Sequence, residues 1–339
     1  MTLVLVVNAG STSLKLSAVA DDETSVPVTS LDAVPDGVDA VAHRVVHGGG
    51  RFRDPVLIDD EVEHALLELA ELAPLHNPPA LAGIDAARRA LPHVPHVAVF
   101  DTAFHATIPD VAATYALPRR WREQWGIRRY GFQGMSVQWA SEQIQVPRLV
   151  VCHLGGGCSV TAVLDGRSID TTMGFTPLEG VPMATRSGSV DPGALLYLLQ
   201  TGRLALAELH KALEHESGLR GLSGTDRMEE VETSEDPGAG LALSVYSYRI
   251  AGAVAAASVG LGGLDALVFT AGVGEHSAIV RERVCGLLGH LGVELDPARN
   301  RDAPPDSEIQ ARASGVRIAV VQAREDIVAA RAARDLIAS

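Results

Sequence analysis

The sequence predicts an α/β protein of two domains, and three observations lead there. The chain has 339 residues, more than one hydrophobic core usually organises. Apolar strand-like runs alternate with helical patterns along most of it. Two segments also resemble each other: "LVLVVNAGSTSLKLSAVADDETS" from Leu3 and "LVVCHLGGGCSVTAVLDGRSIDT" from Leu149. Each reads as strand, small-residue turn, strand and turn signal, which suggests a duplicated α/β domain; two unrelated Gly-rich hairpins would give the same pattern.

The elements follow in order. In each copy a β-branched run gives the first strand and a Gly/Ser cluster the turn, and the "DG" at Asp165 and Gly166 favours a hairpin into a third strand. Between the copies lie a strand "VDAVAHRVV", a helix "DEVEHALLELAELA" closed by "PLHNPP", a helix near "ALAGIDAARRAL" and a strand "HVAVF" ending at Asp101. The second half adds a helix "DPGALLYLLQTG", a polar stretch "TDRMEEVETSEDPGAG", an Ala/Gly-rich helix over 250–264 and a strand "ALVFT". A turn "AGVGEHS" then opens the helix "AIVRERVCGLLGHLG", and a strand "VRIAVVQA" and helix "DIVAARAARDLIA" close the chain. No low-complexity linker separates the halves, so the boundary is expected near residue 148 as a packed hinge.

Composition narrows the function. A formal charge of −14 opposes broad binding to nucleic acid or an anionic membrane, since both require a basic footprint. Three cysteines, Cys152, Cys158 and Cys285, show no metal-finger spacing and read as reduced, buried thiols of a cytoplasmic protein. The most apolar segment, 250–264, falls short of the roughly 18 residues a bilayer requires and reads as a buried helix. The N-terminal "LVLVV" is too short for a signal sequence.

Several turns carry candidate chemistry. In "NAGSTSLK", Asn8, Ser11, Ser13 and Lys15 offer an amide, hydroxyls and an ammonium to a phosphate. The segment lacks the Gly-Lys and following helix of a Walker loop, and an ordinary polar hairpin is the alternative. A second such turn, "HLGGGCS" with His153, Gly155, Gly156 and Gly157, would let two turns hold adjacent phosphates of one nucleotide. "FTAGVGEHS" places Gly272, Val273 and Gly274 where backbone can approach a nucleotide, without the full dinucleotide fingerprint. Asp101 and Glu325 follow apolar strands; carboxylates there suit Mg²⁺, though Asp101 could equally cap a helix. Arg44 and Arg186 sit beside Gly-rich turns and would offset charge in phosphoryl transfer, or each form a surface ion pair.

Taken together, these segments resemble the acetate kinase family, within the superfamily of acetate and sugar kinases, chaperone ATPases and actin. The resemblance rests on "NAGSTSLK", "HRVVHGG", "LAPLHNPP", "FDTAFHATIP", "RRYGF", "HLGGG", "DTTMGFTPLEGVPMATRSG", "VFTAGVGEHSAIVRERVC" and "GVELDPARN", which run nearly the whole chain. It implies two domains with a duplicated ribonuclease H-like, actin-like ATPase β-sheet core and a nucleotide cleft between them. With the C-terminal helix returning to the first, the domains would be 1–147 plus 323–339 on the acyl side and 148–322 on the nucleotide side. The implied reaction is acetate + ATP ⇌ acetyl phosphate + ADP, with propionate or another small acid as the alternative acceptor.

The resemblance also implies residue roles. Asn8, Ser13, Lys15, Asp101 and Glu325 would surround the phosphates and Mg²⁺, with Asn8 and Glu325 closest to the metal. Arg44 and Arg186 would flank the transferred phosphoryl group. Val46, Leu75, Phe132 and Pro177 would form the acyl pocket, and Asp226 would lie at the ribose. A homodimer is implied as well. Two departures stand out: family members read "YGFHGTSH" where this chain has "YGFQGMSV", so Gln133 replaces a histidine thought to hydrogen-bond the phosphoryl group, and Gly156 replaces an asparagine. Glutamine keeps an N–H donor without the capacity for charge. In the ribose segment Asp226 aligns, but the following arginine is displaced by one, to Arg227. A nucleotide-binding protein with degraded catalysis is the reading these losses would favour.

Overall fold

The computed structural model describes residues 2–9, 14–69 and 77–338. They divide into two compact units, one of residues 1–106, 132–139 and 324–339 and the other of 107–131 and 140–323. Residues 107–131 and 140–147 thus group with the second unit, unlike the division expected from sequence.

The first unit holds strands β1 (Leu3–Ala9), β2 (Leu14–Val19), β3 (Ser25–Val28), β4 (Val38–Val45), β5 (Val56–Leu57) and β6 (His96–Phe100). They form one sheet in the order β3-β2-β1-β4-β6-β5, with β1, β4 and β6 parallel at its centre. Leu5 and Val7 of β1 pack with Val41 and Ala87, and Ala87 belongs to the helix Asn77–Ala90. Alternation along β1 turns Val4 and Val6 to the opposite face, where the C-terminal helix Glu325–Ala338 packs on β1 and β4. A sheet covered on both faces explains why β6 reads as an unbroken apolar run.

The second unit holds β7 (Arg148–Leu154), β8 (Cys158–Leu164), β9 (Arg167–Thr171), β10 (Ala266–Thr270), β11 (Ser307–Glu308) and β12 (Arg317–Val320). Their order, β11-β12-β10-β7-β8-β9, is the first sheet's order run from the other edge, with β7 in the place of β1 and β10 in the place of β4. Strand senses match as well: β7 pairs antiparallel with β8 and parallel with β10, as β1 does with β2 and β4. The duplication suggested by two hairpins therefore extends to whole sheets. Asp165 and Gly166, at φ 47° and 76°, form the predicted two-residue hairpin turn between β8 and β9.

Three expectations need correction. The Ala/Gly-rich helix is longer than its apolar run: it spans Pro237–Leu261, because Asp236 caps its start and Gly262, in a left-handed conformation, ends it. Length and composition alone would let it cross a bilayer. Its Ala242, Tyr246, Ile250 and Val254 are buried at helical spacing, and it packs on β7 and β8, the position of a core helix. The supposed turn 271–277 is itself a short helix, Ala271–His276. Ala271 at φ 64° makes the reversal, so the glycines after it can continue as helix. The helix expected over 278–292 stops at Gly286, followed by a separate turn of 3₁₀ helix at Gly289–Leu291.

Candidate active site

In the first unit the functional side chains gather at the carboxyl ends of the three parallel strands, the usual location of ligand sites in open α/β sheets. Register explains it. Val7 of β1 lies beside His43 of β4 and Val45 of β4 beside Phe100 of β6, which brings Asn8, Arg44 and Asp101 side by side. Arg44 donates from Nε to Asp101 Oδ1 at 2.9 Å and from Nη2 to Oδ2 at 2.6 Å, a two-point grip. Its Nη1 reaches Asn8 Oδ1 at 3.3 Å and Glu325 Oε2 at 3.1 Å. Glu325 is the first residue of the C-terminal helix, so that helix delivers the fourth group. Asp101 is therefore an ion-pair partner rather than a helix cap.

Burial alone would lower the Arg44 pKa, but Asp101 and Glu325 outweigh it and raise the pKa above the ordinary arginine value. Two carboxylates and an amide oxygen around one guanidinium leave the cluster a net negative charge. No three His, Cys, Asp or Glu residues cluster as a metal site among the described residues. Mg²⁺ requires less than that: it accepts one or two carboxylates together with phosphate oxygens and water. Asn8, Asp101 and Glu325 are hard oxygen donors of the right kind, so the donor set fits.

The segment Phe132–Gln133–Gly134 adjoins the cluster through Gly134. Gly134 N–H donates to the Asp101 carbonyl at 3.0 Å, and a β-carbon at 134 would lie 2.3 Å from that oxygen, which requires glycine. Gln133 is 9% exposed and sits at φ 62°, a conformation disfavoured for residues with side chains and often found at functional positions. His105 Nε2 donates to the Phe132 carbonyl at 2.8 Å, and burial lowers its pKa to about 4, so it is neutral. The His47 ring meets Phe132 edge-on at 5.3 Å, and the half-buried Val46 precedes His47. Lys15 is exposed and stands opposite Asn8 on β2. Ser11, Ser13 and Leu75 lie outside the described residues.

The second unit assembles its glycine-rich turns next to each other. His153, the last residue but one of β7, is in register with Thr270 of β10. A β-carbon on Gly155 would lie 3.6 Å from that of Ala271, and one on Gly274 would lie 3.6 Å from the Cys152 carbonyl. Gly155 N–H donates to the Gly157 carbonyl at 3.0 Å, and the Gly156 carbonyl accepts from Ala184 N–H at 3.2 Å. Gly272 and Gly156 meet nothing where a side chain would stand. The missing asparagine amide at 156 therefore leaves open space.

Arg186 Nη1 donates to the Pro177 carbonyl at 2.8 Å, and its Nε lies 3.9 Å from Glu214 Oε2. Burial lowers its pKa against the opposing pull of Glu214. Its Nη2 has no hydrogen bond among the described residues. Asp226 pairs with Arg220 at 2.7 Å, whereas Arg227 pairs with the exposed Glu229 and Glu230.

Sequence reasoning missed Arg281, which is 2% exposed. Its Nη1 donates to the Gly274 and Glu275 carbonyls at 2.9 and 2.8 Å, and its Nε to Asn300 Oδ1 at 2.7 Å. It thereby closes the carboxyl end of the helix carrying Gly272, Val273 and Gly274. The signal available was an arginine at an inward position of "AIVRERVC".

Comparison with known proteins agrees with these features. The model of the acetokinase family matches residues 28–331. The chain is 48% identical over 323 residues to the acetate kinase of Nostoc punctiforme, covering 92% of this chain and 78% of that protein. To the acetate kinase of Deinococcus deserti it is 48% identical over 320 residues, covering 90% and 80%. Among solved structures, a propionate kinase from Francisella tularensis superposes with a TM-score of 0.92 at 34% identity, covering 99% of this chain and 100% of that one. Porphyromonas gingivalis acetate kinase gives 0.88 at 32% identity, with coverage of 99% and 100%.

Proposed function

Because the chain belongs to the acetokinase family, we propose how its own residues carry out the reaction it catalyses, the ATP-dependent phosphorylation of acetate. An acetate oxygen attacks the γ-phosphorus of ATP in line, the new O–P bond forms as the bond to the β-phosphate oxygen breaks, and ADP leaves. Mg²⁺ would neutralise charge on the phosphate oxygens. Asn8 and Glu325, with Asp101, are the residues that would hold it. The observation that carries this reading is the convergence of Asn8, Asp101 and Glu325 on Arg44 within 3.3 Å.

Arg44 and Arg186 bind the acid and the transferring phosphoryl group. Support comes from the rigid holding of each: Arg44 by two carboxylates, Arg186 by the Pro177 carbonyl, so little side-chain freedom is lost on binding. Gln133 donates from its amide to the phosphoryl oxygens. Val46, Leu75, Phe132 and Pro177 take the acyl group, and Ser11, Ser13, Lys15, His153, Gly155–Gly157, Asp226 and Gly272–Gly274 take the nucleotide. We assign the acyl side to 1–147 with 323–339 and the nucleotide side to 148–322 by where the second sheet opens, at Arg148 of β7, although 107–131 and 140–147 pack with the second unit. The enzyme works as a homodimer, as family members commonly do, and in the cytoplasm, in keeping with its free, buried cysteines.

Propionate is the second acceptor, on the strength of the propionate kinase resemblance. One methylene is worth about 1–3 kcal/mol of discrimination. Measuring kcat/KM for both acids tests this: acetate should lead by no more than about 200-fold, and a preference for propionate would displace acetate from the reading.

A further inference from the structure

The loop over 172–180 lies outside every assigned role except that of Pro177, yet the side chains of Tyr115 and Arg129 bond it at several points. Arg129 Nη1 donates to the carbonyls of Thr172 and Met173 at 2.8 and 3.1 Å. Its Nη2 donates to Glu179 Oε1 at 2.9 Å. The other Glu179 oxygen accepts a short hydrogen bond from Tyr115 Oη, and that hydroxyl in turn accepts Phe175 N–H at 2.9 Å. The Arg129 guanidinium lies over the Tyr115 ring at 5.6 Å.

The clamp closes on bare backbone. A β-carbon on Gly174 would fall 1.6 Å from Glu179 Oε2 and 2.0 Å from Tyr115 Oη. Its carbonyl accepts Tyr130 and Gly131 N–H at 3.0 and 3.4 Å, the two residues that precede Phe132 in the chain. From this fixed loop the Pro177 carbonyl holds Arg186 at 2.8 Å. The geometry points to Glu179 as a positioning residue: with Arg129 and Tyr115 it fixes the loop that presents Pro177 to the acyl group and aims Arg186. Glu179 does not itself touch substrate. The inference rests on the roles proposed above for Pro177 and Arg186.

Steady-state kinetics of the full chain test it with Glu179→Ala, Glu179→Gln and Tyr115→Phe. The acetate KM should rise about tenfold or more in Glu179→Ala, as expected for small misplacements near the chemistry, with the ATP KM within about twofold of the parent. Glu179→Gln, which can still bond Arg129 and Tyr115, should recover most of the loss. Where Glu179→Ala yields no folded protein, Tyr115→Phe decides, because it removes a single oxygen. An unchanged acetate KM in the folded variants, or an ATP KM rising in step with it, would overturn the inference. Amide exchange at Phe175 separates this from failure of the functional reading. Protection lost in Tyr115→Phe upholds the clamp whatever acid the parent phosphorylates, and protection retained refutes it.

Discussion

Gln133, proposed above to donate to the phosphoryl oxygens, sits in a left-handed backbone conformation at φ 62°. Its amide can donate to a phosphoryl oxygen but cannot become cationic. Removing one well-placed transition-state donor costs roughly 100-fold to 1,000-fold, and glutamine retains part of that. Gln133→His should therefore raise kcat by about tenfold or more, measured with saturating acetate; a fall would show that the site is fitted to an amide. Next to it, Gly134→Ala places a β-carbon 2.3 Å from the Asp101 carbonyl. Overpacking against backbone should cost about 2–3 kcal/mol in urea unfolding, and an unperturbed midpoint would contradict the close approach. The substitution at 133 was legible in sequence only through the motif around it. The strained φ was not, because it is imposed by the Asp101–Gly134 contact between residues 33 positions apart.

At the scale of elements, β4 and β6 carry a buried histidine pair. His96 Nε2–H donates to the Leu91 carbonyl at 3.1 Å, which makes its Nδ1 the acceptor of His43 Nε2–H at 2.9 Å. His43 Nδ1 is thus left bare, and it is buried with no hydrogen-bond partner among the described residues. Burial, then His96 and Arg88, lower the His43 pKa to about 3. The folded state holds His43 neutral while the unfolded chain takes up a proton near 6.5, so this stability is complete above 6.5 and is lost as pH falls toward 3. His105, lowered to about 4 by burial, acts in the same sense. Urea midpoints should fall between pH 7 and pH 5, and His43→Leu should make that fall shallower; an equal slope would remove His43 from the account. The helices misjudged from sequence share one cause. Polar and glycine-rich stretches at 237–249 and 271–276 become helical because capping by Asp236 and packing on the sheet override local propensity.

For the whole molecule, two sheets of identical topology explain why so much was readable. The central strands of both sheets are covered on both faces and write apolar stretches into the sequence, and Asn8, Arg44 and Asp101 lie at or just past the carboxyl ends of three of them. What could not be read is how register gathers them: Asn8, Arg44, Asp101 and Glu325 are spread over more than 300 positions and meet only through strand pairing and the returning C-terminal helix. Removing the hub has a molecular consequence. Arg44→Ala would strand the buried Asp101 carboxylate beside Glu325, costing about 3 kcal/mol of stability and abolishing turnover. Thermal unfolding with and without Mg²⁺·ADP checks both ends of the cluster. The nucleotide should stabilise the parent by about 2.7 kcal/mol at a hundredfold excess over Kd, and the Mg²⁺-dependent part should shrink in Glu325→Gln. The most direct measurement is hydroxylamine trapping of the acyl phosphate formed from acetate, ATP and Mg²⁺, run on the parent and on Arg186→Ala. Acetyl hydroxamate should form with the parent and not above background with the variant; equal product from both, or none from a parent that binds Mg²⁺·ATP, would rule out acetate phosphorylation through Arg186.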